Sequence, residues 1–169
     1  MKVLGIDPGF EKVGVAVVEQ NTIKDTLLYS ACFKTLKSSV FNERLFLIGQ
    51  EINRVIEKYK PDALSVETLF FNTNQKTALR VSEARGVIIY VAKKHNMEIY
   101  EYTPLQIKNA ITGYGRADKN QVNSMVKQLI FIPDSTKKED DEMDSIATAL
   151  TCLASYKTEK TSVRIKNNL

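Results

Sequence analysis

The sequence predicts an α/β domain in which helices cover the faces of a five-stranded mixed sheet. Two observations carry this prediction. Short β-branched runs alternate with segments whose apolar residues have helical spacing. The order of these elements is three strands, a helix, a strand, a helix, a strand and then three helices, which is typical of the α/β class. The chain of 169 residues is 43% hydrophobic, which suits one domain with a full core.

The N-terminal third is predicted to form three strands and a helix. Lys2 to Asp7 is an apolar run that ends in Asp-Pro-Gly, so a tight turn should follow this first strand, with Gly9 at a positive φ. Val13 to Val18 is β-branched and close enough to pair with it as a hairpin. Thr22 to Phe33 is a less regular third strand, and Phe41 to Tyr59 has its apolar residues at helical spacing.

The middle of the chain adds a strand and a long helix. Ala63 to Glu67 follows a helix and should therefore run parallel to the first strand. The next helix covers Gln75 to Lys94, and within it Val87 to Ala92 is apolar on every side. A helix of this kind is buried on more than one side, which predicts contact with a partner subunit as well as with the domain's own core.

The last elements are a strand, three helices and a tail. Thr103-Pro104 places a good N-cap and a proline at the first helical position, which predicts a short helix there. We expect one domain over residues 1–156 and a basic, flexible tail over 157–169. The other predicted segments are a strand over Met97 to Tyr102, a flexible basic loop over Gly113 to Lys119, a helix over Gln121 to Leu129 and a final amphipathic helix over Glu139 to Tyr156.

Cysteine and histidine usage excludes several classes of site. Cys32 and Cys152 are isolated, which argues against a disulfide framework and against structural zinc. His95 is the single histidine and stands in a polar segment typical of a helix end. No apolar run approaches the ~18 residues of a membrane span, and Asp7 interrupts the N-terminus too early for a secretory signal, so we expect a cytoplasmic protein. Hydrolytic chemistry here would depend on carboxylates.

Charge is distributed in blocks along the chain. Residues 1–75 are neutral overall, whereas residues 76–138 carry eleven basic and five acidic side chains, a net charge of +6. Residues 139–155 carry five acidic and no basic side chains. A basic surface beside a compact acidic cluster suits a polyanion held against a metal site. Solvated, lysine-rich helix faces would give the same pattern, so charge alone leaves both interpretations open.

Four carboxylates occupy unusual positions. Asp7 and Glu67 each end a strand, and if those strands are parallel neighbours both lie at the carboxyl end of the sheet. Asp141 and Asp144 project from one face of the last helix. Each has an ordinary alternative as a turn residue, a solvated acid or an acid favoured by the helix dipole, and we assign that last role to Glu139, Asp140 and Glu142.

Convergence of the four acids would create a site for a hard divalent cation, Mg²⁺ or Mn²⁺. Two such ions suit phosphoryl transfer, because together they activate water and stabilise the leaving oxygen. Without metal the acids would repel one another and raise one another's pKa. We therefore expect metal to stabilise the fold.

Five motifs occur in order: Gly5-Ile6-Asp7-Pro8-Gly9, Val66-Glu67-Thr68-Leu69-Phe70-Phe71, Glu83-Ala84-Arg85-Gly86-Val87, Tyr102-Thr103-Pro104 with Lys108, and Asp141-Glu142-Met143-Asp144. Together they resemble the RuvC family of bacterial crossover junction endodeoxyribonucleases over about residues 1–155. The resemblance implies a ribonuclease H-like fold. It also implies a homodimer that resolves Holliday junctions in recombination and repair by two symmetric Mg²⁺-dependent nicks, leaving 5′-phosphate and 3′-hydroxyl ends.

The resemblance also assigns residues. It makes Asp7, Glu67, Asp141 and Asp144 the catalytic and metal-binding acids, with two Mg²⁺ ions per site and Mn²⁺ as a substitute. The implied DNA-binding residues are Phe70 or the adjacent Phe71, Lys108 and Lys119, and the net basic segment adds Arg116 as a further residue that would contact the DNA backbone. The implied partners are four-way junction DNA, a second copy of the chain and the RuvA and RuvB branch-migration proteins. The last motif departs from the family, which usually has small residues where Glu142, Met143 and Ser145 stand, and Asp140 offers an alternative register for Asp141.

Three other hypotheses about the class of protein compete with membership of the RuvC family. Other ribonuclease H-like enzymes, including YqgF-type proteins, share the strand-end Gly-Ile-Asp-x-Gly, but the Glu-Ala-Arg-Gly-Val and Tyr-Thr-Pro segments favour RuvC. Actin-like and sugar-kinase ATPases generally need two such lobes, and 169 residues supply one. A junction-binding scaffold without catalysis would gain nothing from four acids placed against phosphate.

Overall fold

The computed structural model describes residues 1–69, 75–133 and 138–166. Its helices and strands fall close to the predicted segments. Within these ranges the elements are β1 (Lys2–Asp7), β2 (Lys12–Glu19), β3 (Asp25–Lys34), α1 (Phe41–Tyr59), β4 (Ala63–Glu67), α2 (Gln75–Lys94), β5 (Glu98–Tyr102), α3 (Pro104–Thr112), α4 (Lys119–Leu129), β6 (Ile130–Phe131) and α5 (Asp140–Lys166).

The strands form one mixed sheet in the order β5-β4-β1-β2-β3-β6. β1, β2 and β3 pair antiparallel, whereas β4 pairs parallel to both β1 and β5, which confirms the predicted parallel pairing of the first and fourth strands. The predicted count of five strands was wrong by one. The sixth, β6, pairs only Ile130 and Phe131 with Asp25 and Thr26, and two residues are too short to show an alternating pattern.

Alternate residues of the central strands feed two separate cores. Leu4 and Ile6 of β1 face the helices α1 and α2, whereas Val3 faces α3, α4 and α5. All three side chains are fully buried. This alternation follows from the two-residue repeat of a strand, and it means that β1 is covered on both faces. The result is a three-layer arrangement of helices, sheet and helices.

The turn after β1 has a different geometry from the one predicted. Gly9 does not adopt a positive φ; of the described glycines, Gly113 does. Glycine is needed at position 9 because a Cβ atom there would lie 2.0 Å from the carbonyl oxygen of Lys12. The reason is therefore a close backbone approach, which a turn propensity does not report.

The helices differ from expectation mainly at one end. Thr103 caps α3 in a reciprocal capping box with Gln106, as its Thr-Pro start predicts. The backbone of α5 continues to Lys166, ten residues beyond Tyr156, where the sequence predicted its end. No glycine or proline interrupts this extension, so nothing in its sequence terminates the helix earlier.

The apolar segment of α2 is buried on one side. Ile88, Val91 and Ala92 pack into the core shared with α1, whereas Tyr90 is 69% exposed. Gly86, one turn earlier, has no atom within 4 Å of the position of a Cβ. The helix therefore presents an uncovered aromatic and an open glycine to the outside of this chain. None of the helices in the described ranges is long and apolar enough to span a membrane.

Candidate active site

The sheet brings Asp7 and Glu67 together. β1 and β4 are parallel with Ile6 opposite Val66, so the next residue of each strand lies at the same edge. Side chains two residues apart share a face, and the Ser65 hydroxyl donates to the carbonyl oxygen of Thr148 in α5 at 2.7 Å. Glu67 therefore faces α5.

The first turns of α5 supply the other two acids. The pKa of Asp7 is raised to about 7, first by burial and then by the negative charges of Asp144 and Asp141. The backbone shows the same proximity, because the carbonyl oxygen of Asp141 and the Cβ of Asp7 lie 2.0 and 3.1 Å from the position of a Cβ on Gly14. The structure thus brings Asp141 and Asp144 to the predicted edge of the sheet.

Glu67 belongs to the same electrostatic cluster. Its pKa is raised to about 7 by burial and by the charges of Asp7 and Asp144, while Lys108 lowers it. The pKa of Asp144 is also raised, chiefly by burial, against the opposing effect of Lys119. Each acid would therefore ionise more readily if further positive charge entered the cluster.

Two lysines face this cluster. The Nζ atom of Lys119, the first residue of α4, lies 3.2 Å from Oδ2 of Asp144 and 3.3 Å from Oδ2 of Asp140. Lys108 of α3 joins Lys119, Glu67 and Asp144 in the lining of a cavity of about 260 Å³. The remaining lining is mostly apolar. Acids and lysines therefore meet in one partly enclosed space.

Arg116, the other predicted DNA-binding residue that the structure describes, does not line this cavity. Arg116 is exposed in the loop before α4. Phe70 and Phe71 lie outside the described residues. His95 follows α2, and its Nε2 atom lies 2.9 Å from Oδ1 of Asn53, in agreement with an ordinary polar role at a helix end.

The two possible registers of the last motif differ in burial and in charge coupling. The side chain of Asp140 is 70% exposed and pairs with Lys119. Asp141 is less exposed, and it is Asp141 whose charge raises the pKa of Asp7. The geometry favours Asp141 as the acid that belongs with Asp7.

One neighbour of Asp141 was not anticipated. The Sγ atom of Cys32, in β3, lies 3.6 Å from Oδ2 of Asp141, and the pKa of the thiol is raised to about 11 by burial and by that carboxylate. Potential ligand atoms of Cys32, Glu139 and Asp141 all lie within 4.8 Å of one another. In the described ranges no three of the four predicted acids meet that criterion. The contact joins residues 109 positions apart, so local sequence patterns cannot report it.

The cluster fits a divalent cation. Four carboxylates offer hard oxygen donors, which Mg²⁺ and Mn²⁺ prefer. Burial and mutual repulsion keep the pKa values of Asp7 and Glu67 near 7, and a bound dication would offset both effects. Asp7, Glu67, Asp141 and Asp144 are therefore the residues that could hold such an ion.

A mixed sheet with acids at the ends of two parallel strands and on a crossing helix matches the ribonuclease H-like nuclease class that the sequence resemblance implies. The model for crossover junction endodeoxyribonuclease RuvC matches residues 3–152 of this sequence. The chain belongs to the RuvC family, whose members are metal-dependent nucleases.

Relatives of the same name support this membership. The crossover junction endodeoxyribonuclease RuvC of Ruminiclostridium cellulolyticum is 44% identical over 150 residues, covering 89% of this chain and 90% of that protein. The protein of the same name from Finegoldia magna is 45% identical over 150 residues, with 89% and 91% covered.

Solved structures agree in fold. T. thermophilus RuvC in complex with a Holliday junction substrate superposes with a TM-score of 0.87 at 30% identity, covering 94% of this chain and 96% of that one. The yeast mitochondrial Holliday junction resolvase Ydc2 has a TM-score of 0.70 at 17% identity, covering 90% of this chain and 77% of that one. At that identity the likeness concerns the fold alone.

Proposed function

We propose that this chain is a Mg²⁺-dependent endonuclease that resolves four-way DNA junctions by paired symmetric nicks. The observation that carries the proposal is the convergence of four carboxylates, from β1, β4 and α5, two of which, Glu67 and Asp144, share a cavity with Lys108 and Lys119. The family's printed name and the junction complex of the T. thermophilus relative support the choice of substrate. The predicted cytoplasmic location belongs to the same proposal.

Asp7, Glu67, Asp141 and Asp144 would hold two Mg²⁺ ions, with Mn²⁺ as a substitute. Such ions supply activation of water and stabilisation of the leaving oxygen when a phosphodiester is hydrolysed to 5′-phosphate and 3′-hydroxyl ends. The protein would contribute by keeping the four acids ionised and correctly oriented. Their burial makes this costly without a cation, since it raises the pKa values of Asp7 and Glu67.

Lys108 and Lys119 would bind the DNA backbone next to the cut. Both line the cavity that contains Glu67 and Asp144. A phosphodiester that entered it would therefore meet positive charge as well as carboxylates, and the lysines would lessen the repulsion between them. Arg116, exposed in the preceding loop, would extend this basic surface.

A homodimer would present two such sites to a junction. The exposed Tyr90 and the open Gly86 of α2 supply an apolar contact and a place for close approach. Beside them, a groove of about 480 Å³ between α1 and α2 is lined by Val87, Tyr90 and Phe46 among others. An isologous contact through this face gives two-fold symmetry, which matches that of a four-way junction. RuvA and RuvB are the partners that family membership suggests.

The direct test is cleavage of a labelled synthetic four-way junction, in Mg²⁺ and in EDTA, beside linear duplex and an RNA–DNA hybrid. We expect symmetric nicks that need Mg²⁺ and are confined to the junction. Cleavage of the hybrid instead would move the substrate to RNA. Junction binding without any cut, in Mg²⁺ or Mn²⁺, would favour a binding scaffold.

Asp7→Asn separates chemistry from binding. The substitution removes one charge from the acid cluster and keeps the shape of the side chain, so cleavage should be lost while junction binding persists. Equal loss of both would contradict a purely catalytic role for Asp7. Gel-shift binding in EDTA and cleavage in Mg²⁺ measure the two properties independently.

A further inference from the structure

Glu142 has an environment unlike that of an ordinary acid in the first turn of a helix. The residue is 9% exposed, and both of its carboxylate oxygens have partners. Oε1 accepts a hydrogen bond from the Ser30 hydroxyl at 2.7 Å, and Oε2 accepts one from the backbone amide of Glu139 at 2.9 Å. Lys138 adds an ion pair at 3.9 Å. Glu142 thus holds the backbone at the start of α5 and also connects this turn to the sheet.

The contact with Ser30 is one of three that β3 makes with this turn. Ser30, Cys32 and Lys34 are alternate residues and share one face of the strand. The Cys32 thiol donates to Asp141 at 3.6 Å, and Lys34 donates to Glu139 at 2.7 Å. Of the three acids contacted, Glu142 is the most buried, because the side chain of Glu139 is 45% exposed and that of Asp141 is 28% exposed.

We propose that Glu142 is a positioning residue that fixes the first turn of α5 against β3 and so holds Asp141 and Asp144 in place. The inference rests on the proposed function of those two acids. It also accounts for the departure from the family's small residues at this position, since the side chain points to β3 and bonds Ser30 instead of crowding Asp141. Glu142 thus does more than favour the helix dipole, the role that its position in the first turn of α5 predicts.

The nearest alternative is that Glu142 is itself a ligand in the acid cluster. Its contacts argue against this, because both oxygens accept hydrogen bonds from the protein. The charges that raise the pKa of Asp7 are those of Asp144 and Asp141. The two roles also predict different results for glutamine, which keeps hydrogen bonds but not charge.

The test compares Glu142→Ala and Glu142→Gln with the intact protein. Loss of the carboxylate in Glu142→Ala should lower single-turnover cleavage by about 10- to 100-fold and weaken Mn²⁺ binding by a similar factor, as is usual when groups that orient metal ligands are removed. Junction affinity in EDTA should stay unchanged. Glutamine can still accept from the Glu139 amide and bond the Ser30 hydroxyl, so Glu142→Gln should recover most of the lost rate.

Glu51→Ala is the matched control, since Glu51 is similarly buried and is hydrogen-bonded to Arg54 of α1 and to Tyr29, which lies on the opposite face of β3 from Ser30. It should lower stability without affecting cleavage or Mn²⁺ binding. Abolition of cleavage by Glu142→Gln would overturn the proposal in favour of a ligand role.

Hydrogen exchange of the amides over residues 139–145 gives a readout that does not depend on nuclease activity. Glu142→Ala should increase exchange there more than Glu51→Ala does. Unchanged exchange would overturn the positioning role, whether or not the wild-type protein cuts junctions. If Glu142→Ala increases exchange but the wild-type protein does not cleave junctions, the positioning role stands and only the proposed function is contradicted.

Discussion

The carbonyl oxygen of Asp141 lies 2.0 Å from the position that a Cβ atom would occupy on Gly14. Gly14 is also the residue of β2 that pairs with Asp7 across the hairpin. The missing side chain therefore lets the first turn of α5 rest directly on the sheet beside Asp7. This contact sets the separation between an acid of the strand and an acid of the helix.

Gly14→Ala should consequently displace the start of α5. Real Cβ atoms essentially never come within 3.0 Å of another heavy atom, so the helix turn must move outward. Overpacking of this kind costs ~1–3 kcal/mol of stability, and a displacement of ~1 Å at catalytic groups can lower the rate ~100-fold. Denaturant unfolding and single-turnover junction cleavage measure the two effects.

Gly113→Ala is a useful comparison for the stability measurement. Its φ is +72°, but no atom lies within 4 Å of the added carbon. Gly113→Ala should therefore lower the free energy of unfolding only by the cost of a left-handed alanine, about 1 kcal/mol. If Gly14→Ala cleaves at the wild-type rate, the close approach does not position Asp141.

Stability without metal should fall as the pH rises. Asp7 has an ordinary pKa of 3.8, and its pKa in the folded protein is raised to about 7. The folded state therefore holds a proton that the unfolded chain releases between these values, and the fold loses stability as the pH passes from about 4 through 7. The loss is at most about 4 kcal/mol, because each pKa unit corresponds to about 1.4 kcal/mol.

Asp7→Asn isolates this effect. In EDTA at pH 8 the variant should unfold at a higher temperature than the wild type, whereas near pH 4 the two should be alike. Glu83→Gln, which removes an exposed acid of α2, serves as the charge control and should shift the transition little at either pH. If Asp7→Asn is less stable than the wild type at pH 8, the ionised carboxylate of Asp7 does not destabilise the fold.

Cleavage should show the opposite pH dependence when Mg²⁺ is limiting. Metal binds the ionised acids, and the pKa values of Asp7 and Glu67 are both raised to about 7, so activity should rise from pH 6 to pH 8. The midpoint should move to lower pH as the Mg²⁺ concentration increases, because bound cation favours the ionised forms. A midpoint independent of Mg²⁺ would place the controlling proton elsewhere.

The positions of Asp7 and Glu67 could be predicted because they depend on strong local patterns. Each ends an apolar run, and the helix between the runs requires the two strands to be parallel. Their register, with Ile6 opposite Val66, then places both acids at one edge. Pattern and topology sufficed for this half of the site.

The supporting contacts could not be predicted in the same way. An acid in the first turn of a helix is favoured whatever it touches, so Glu142 carried no distinctive signal. Its bond to Ser30 joins residues 112 positions apart. Likewise the two-residue strand β6 and the close approach at Gly9 depend on tertiary geometry rather than on propensity.

Arg85 should control the position of Glu67. Its Nε atom donates to the backbone carbonyl of Glu67 at 3.2 Å, and its Nη2 atom pairs with Glu101 of β5. A lysine cannot make both contacts with one planar group, so Arg85→Lys should lower cleavage ~10-fold while junction affinity in EDTA is retained.

Arg54→Lys disrupts a comparable arginine pair, that with Glu51 on α1, and should leave cleavage unchanged. Single-turnover rates at saturating junction provide the comparison. The positioning role of Arg85 fails if its lysine variant cuts as fast as the wild type, or if binding and cleavage fall together.

The exposed face of α2 should mediate dimerisation. Tyr90→Glu places a charge on a side chain that is 69% exposed in the single chain, and a charge buried at an interface without a partner is strongly unfavourable. Sedimentation velocity should show a shift from dimer to monomer, and paired nicks should become single ones. Ile23→Glu, at a fully exposed apolar residue, is the control. A dimer that survives Tyr90→Glu would place the interface on another face.

Lys119→Ala should weaken junction binding and lessen its salt dependence. Removal of one phosphate contact reduces the slope of log K against log salt concentration by about 1. The variant also frees Asp144 from an ammonium group 3.2 Å away, which adds repulsion toward the incoming phosphate. Lys127→Ala, at an exposed position two turns further along α4, should leave the slope as it is. Junction-binding titrations at several salt concentrations measure these slopes. Equal slopes for wild type and Lys119→Ala would mean that Lys119 pairs with the acid cluster and does not contact a phosphate.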